Sequence, residues 1–134
     1  MATVNNTRLA VITDALNDQA KITVTCDVEF TDVEVNAMNI LGLHYSLQCQ
    51  IIDKDLWYQE TVAVLDERGF PRTTDALASR NEHIVLSTAR PMSDLHTHLV
   101  SNDNLQAELT LRNDETGQVE SVSRTDFVSV DLAA

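Results

Sequence analysis

Lysine is nearly missing from this chain: Lys21 and Lys54 are the only two, and with seven arginines they stand against 21 acidic residues, for a net charge of −12. A nucleic-acid surface needs clustered cations to release counterions from phosphates, and no window supplies them. Anionic membrane surfaces are disfavoured on the same ground, and no apolar run reaches transmembrane length. Glycine is as scarce. Gly42, Gly69 and Gly117 stand alone, so no glycine-rich loop can cradle a phosphate.

Two cysteines make no disulfide scaffold in a chain of 134 residues. Cys26 and Cys49 fall at inward positions of two strands described below and read as buried free thiols behaving as small hydrophobes. Neither has a basic neighbour to lower its pKa, and no serine sits in Gly-x-Ser-x-Gly, so nothing points to nucleophilic catalysis. The first residues lack the basic start and apolar core of a secretory leader, which sets the expectation of a cytoplasmic protein.

What is present is alternation. In residues 20–31, AKITVTCDVEFT, the side chains of Ile22, Val24, Cys26, Val28 and Phe30 alternate without a break with Lys21, Thr23, Thr25, Asp27 and Glu29. Residues 42–53 repeat the rhythm with Leu43, Tyr45, Leu47, Cys49 and Ile51 inward, and residues 105–112 do so with Leu105, Ala107, Leu109 and Leu111. Shorter runs rich in Val, Ile and Thr lie at 7–13, 58–65, 82–88, 118–123 and 126–132, separated by turn-forming stretches. One wet face per strand indicates antiparallel sheets, since parallel sheets covered on both sides read as continuous apolar runs.

Seven or eight such strands must stack their apolar faces, so residues 1–134 are expected to form one all-β domain, an antiparallel two-sheet β-sandwich. An immunoglobulin-like topology is favoured by length and strand count, with C2-like or jelly-roll arrangements as alternatives. The repeated Thr-Asp-Ala-Leu at 13–16 and 74–77 suggests two single helical turns capped by Thr13 and Thr74. Ile52 and Leu65 fall on nominally outer faces, which favours a covered second surface.

Three groups of residues are candidates for chemistry or contact. His96 and His98, with Asp94 just ahead, would share one face of a strand and could hold a transition metal if a neighbouring strand added a ligand. Asp53, Asp55, Asp114 and Glu115 follow the ends of comparable strands and would offer oxygen ligands to calcium if those ends gathered. Asp and Asn are also what turns demand for their own backbone, and solvated histidines on a connecting segment account better for the His-x-His pair. Trp57, Tyr58 and Phe70 concentrate scarce aromatic area beside turns, which suits a contact patch as well as a core.

A non-enzymatic protein-interaction or assembly module, self-associating as a symmetric homodimer through a sheet edge or an apolar face, is the function these observations favour. A calcium-dependent domain binding protein or carbohydrate is the alternative, and a metal-assisted hydrolase built on the histidines is a third. No resident cofactor is expected other than calcium on the second reading.

Overall fold

A computed structural model describes residues 1–54, 59–72, 77–95 and 103–131. The chain order is β1 (Thr3–Asp14), a 3-10 turn (Ala15–Asn17), β2 (Gln19–Glu29), α1 (Asp32–Leu41), β3 (Tyr45–Lys54), β4 (Gln59–Val64), β5 (Arg68–Phe70), β6 (Asn81–Pro91), α2 (Met92–Leu95), β7 (Asp103–Asn113), β8 (Val119–Arg124) and β9 (Val128–Val130). Every ladder is antiparallel.

The strands form two sheets that face each other as a β-sandwich. The first has the order β1-β2-β6; the second runs β4-β3-β7-β8, with β5 also on β3 and β9 also on β7. Because β7 takes one flank of β3, β4 and β5 must share the other, and the register runs from Lys54↔Gln59 through Gln50↔Val64 to Tyr45↔Phe70. They are one edge strand interrupted at residues 65–67. In the same way β8 and β9 line one flank of β7, interrupted at 125–127.

Alternation in the sequence becomes burial in the core. Ile22, Val24, Cys26 and Val28 of β2 and Ile84 and Leu86 of β6 face Leu47, Cys49 and Ile51 of β3 and Leu105, Ala107, Leu109 and Leu111 of β7, all buried. Two residues expected on outer faces are buried. Ile52 stays on the outer face, because β3 pairs with β7 without a shift and Ile51 beside it points inward, yet it is buried; Leu65 joins the core where the edge strand breaks, its N–H donating to the Cys49 carbonyl at 3.0 Å. Leu65 therefore marks no outer surface, while Ile52 is an outer-face residue that is already covered. Thr13 belongs to β1 rather than capping a turn, and the residue that opens the 3-10 turn, Asp14, makes no side-chain cap. Thr74 lies outside the described residues.

The helix α1 was not signalled by the strand rhythm. Thr31 caps it: its Oγ1 accepts from Glu34 N–H at 3.3 Å while Glu34 Oε1 accepts from Thr31 N–H at 2.8 Å, a reciprocal box. Gly42 ends it with φ of 73°, a left-handed conformation that a residue with a Cβ resists. The helix lies over one end of the sandwich, held by buried Met38 and by Tyr45, whose hydroxyl donates to Glu34 Oε2 at 3.3 Å. Burial, and then the neighbouring Glu34 carboxylate, push the Tyr45 phenol up to about 12.

At the break between β8 and β9 a side chain replaces a ladder bond. The Ala107 N–H donates to Thr125 Oγ1 at 3.0 Å, while Thr125 N–H donates to the Ala107 carbonyl at 3.0 Å; both residues are buried. Thr125→Val keeps the shape and strands the Ala107 amide, so urea denaturation should show a loss of about 1–3 kcal/mol. A loss below a few tenths would mean that the side-chain bond contributes nothing to the edge.

Candidate interaction surface

A sheet that does not close on itself has edges, and unpaired N–H and C=O groups along them recruit other strands unless they are broken, twisted or covered. Among the described residues this sandwich has four edges, and three are blunted. The β4/β5 and β8/β9 edges are each interrupted. The β1 edge carries an irregularity between Asn5 and Arg8, where Asn6 takes φ of 53°. That bend is pinned by Asn6 Nδ2, which donates to Asp27 Oδ2 at 2.8 Å, while Asp27 Oδ1 lies 2.7 Å from His83 Nδ1. The bond from Asn6, and then that with His83, hold the Asp27 carboxyl below its usual range. The β1 flank is also laced to the facing sheet: Val4 N–H donates to Ser121 Oγ at 3.3 Å and Thr7 Oγ1 to the Arg124 carbonyl at 3.2 Å.

The fourth edge, β6, is different. Its eleven residues pair with β2 from Asn81↔Glu29 to Pro91↔Gln19 without one register shift, and among the described residues its other flank pairs with no strand. Between Glu82 and Arg90 it carries no formal charge apart from what His83 can acquire, and its only proline is terminal. Ile84 and Leu86 point into the core, and half-exposed Val85 points out. The contact between β6 and the facing edge comes from Arg90, which donates to Thr88 Oγ1 at 2.7 Å, to the Ala89 carbonyl at 3.2 Å and to the Val64 carbonyl at 3.4 Å.

A second feature lies at the α1 end. Val33, Ile40, Leu41 and Leu77 are each more than three-quarters exposed, and with Ala37 the helical members follow the i, i+4, i+7, i+8 spacing of one face. Ala78 N–H donates to Asn39 Oδ1 at 2.8 Å, which brings residue 77 beside the helix. The outer face of the second sheet carries a polar band beside the exposed Val64 and Val122. Thr61 donates to Gln50 at 3.2 Å, Gln50 to Glu108 at 2.9 Å, and Arg124 to Glu108 at 2.8 Å, a band running across the sheet.

The residues singled out from sequence are not brought together. Phe70 is not a contact residue: it is fully buried, with its ring 5.4 Å from Phe30, which in turn lies 5.2 Å from Tyr45. Asp53 and Asp114 cannot share a calcium ion. In the β3–β7 ladder Asp53 faces Leu105 while Asp114 follows Asn113, which faces Tyr45, so they lie at opposite ends, about 25–30 Å apart at ~3.3 Å per residue. Asp114 instead accepts from Ser46 Oγ at 2.6 and 2.9 Å, and Glu115 sits exposed in the β7–β8 turn. Asp94 is exposed on α2. Asp55, Trp57, Tyr58, His96 and His98 lie outside the described residues. Among the described residues no group of three or more His, Cys, Asp or Glu could hold a metal. No helix there is long and apolar enough to cross a membrane. Sequence reasoning missed the β6 edge and the α1 stripe. Their signals were an uncharged, β-branched run between Glu82 and Arg90, and a Thr-x-x-Glu box followed by Gly42.

No protein-family model and no curated protein matches the chain. Solved structures do. Bacteroides uniformis β-glucuronidase 2, covalently bound to cyclophellitol-6-carboxylate aziridine, aligns with 96% of this chain at a TM-score of 0.58 and 11% identity. A calcium-binding mutant of the same enzyme aligns at 0.58 and 13%, and a further Bacteroides uniformis β-glucuronidase structure at 0.54 and 13%. In each case the aligned region is 14% of the larger chain. At these identities the likeness is one of fold, and it places this chain among the β-sandwiches.

Proposed function

We propose that this chain is a non-enzymatic interaction module that associates with its own copies, as a homodimer, through the edge of its three-stranded sheet. The observation that carries the reading is the unbroken β6 edge beside three blunted ones. A sheet edge left regular over eleven residues suits pairing, because main-chain bonds supply affinity without any special side chain. The finer topology is immunoglobulin-like on this reading: β1, β2 and β6 stand where A, B and E stand in that fold, and β3, β7 and β8 where C, F and G stand. The acidic surface, at −12, argues for a protein partner over nucleic acid or membrane. The exposed α1 stripe supports an interaction role independently, as an apolar face at the end of the sandwich.

Light scattering after size exclusion, at about 0.15 M salt so that repulsion between two acidic chains is screened beyond ~8 Å, should show the mass rise from monomer to dimer over the micromolar range. A monomer at every concentration overturns the reading.

A further inference from the structure

Resting on that reading, we infer that two copies pair antiparallel along β6 with Leu86 facing Leu86 of the partner subunit across the two-fold axis, so that Glu82 of each copy meets Arg90 of the other. The sequence of β6 selects this register. An antiparallel strand paired with itself matches residues that lie equally far from the axis on opposite sides, and a symmetric dimer makes each pairing twice. With the axis at Leu86, the inward-facing positions match Ile84 with Thr88 and Glu82 with Arg90, while the outward positions match Val85 with Ser87 and His83 with Ala89. Apolar faces small or apolar, and the one acid meets the one base.

Other registers lose this. Moving the axis to Val85 sets Arg80 against Arg90 and leaves Glu82 facing Thr88. Moving it to Ser87 sets Arg90 against Ile84 and Glu82 against Met92. Placing it between residues matches inward positions with outward ones, which turns one copy's core face to solvent. Both charged groups are accessible for the exchange. Glu82 is half-buried and has no ion-pair partner among the described residues, and the bonds of Arg90 to Thr88, Ala89 and Val64 leave further N–H groups on its guanidinium. The product is one continuous sheet in the order β1-β2-β6-β6-β2-β1, ending on both sides in the blunted β1 edge.

The test is a charge exchange read by sedimentation equilibrium on the full chain. Glu82→Arg places like charges opposite at two symmetric positions, as does Arg90→Glu, and each should raise the dimer dissociation constant by about tenfold. The double variant Glu82→Arg with Arg90→Glu restores the pairs and should return within about threefold of the parent. That rescue excludes simple misfolding as the cause of the single losses. If the parent dimerises and neither single variant weakens it, or the double variant is weaker than both, the register is wrong while self-association stands. If the parent never dimerises, the broader reading fails with it.

Discussion

Phe70→Ala is expected to lower the unfolding free energy by about 3–5 kcal/mol, the cost of removing a large ring from a packed core. Self-association of whatever remains folded should be unchanged. The ring lies against Phe30 in a cluster that also contains Tyr45, at the end of the sandwich beneath α1, and it is wholly shielded from solvent. A domain holds only about 5–15 kcal/mol in total, so the variant should unfold at markedly lower urea concentration. A contact residue would behave the opposite way, with stability kept and association lost. Urea melts followed by light scattering on the folded fraction separate the two outcomes.

The thiols should be nearly inert in the folded state. Burial pushes Cys26 up to about 11, with the adjacent Asp27 carboxylate adding to the rise, and burial pushes Cys49 up to about 12, with Cys26 adding to it. Against an ordinary value of 9.0, the thiolate fraction at pH 8 falls by about two to three powers of ten, since each pKa unit is about tenfold. Ellman's reagent should therefore find no thiol in native protein over minutes and two in denaturant; rapid native reaction at either would contradict the core packing of β2 on β3. The same shifts fix a pH dependence. The folded state keeps its protons where the unfolded chain would release them, so this contribution is fully present below pH 9 and is lost as pH rises through 11 and 12.

Much of this arrangement is written in local alternation. Ile22 to Val28 and Leu105 to Leu111 are buried at the positions their period of two dictates, and two cysteines follow the same rhythm into the core. Local pattern carries no information on strand breaks, so Leu65 reads as outward although the break between β4 and β5 turns it into the core. The helix α1 contains Val33, Val35, Asn36 and Asn39, weak helix formers, and its cap and terminal glycine outweigh them. Phe70 sits between arginines in sequence and reads as loop; its partners come from residues 30 and 45, which only the fold brings near. The acidic turns misled for a topological reason. The ends of antiparallel neighbours point in opposite directions, so Asp53 and Asp114 part where parallel strands would have gathered them.

The β6 edge became visible only by comparison with its three counterparts, because an edge is a property of a sheet and not of a strand. Amide hydrogen exchange at low and high protein concentration tests that edge directly, since a backbone amide exchanges slowly once another strand satisfies it. Residues 81–91 should gain protection as concentration rises while those of β1 and β8 do not change. Protection that stays flat along β6, or that rises along another edge instead, would contradict the assignment.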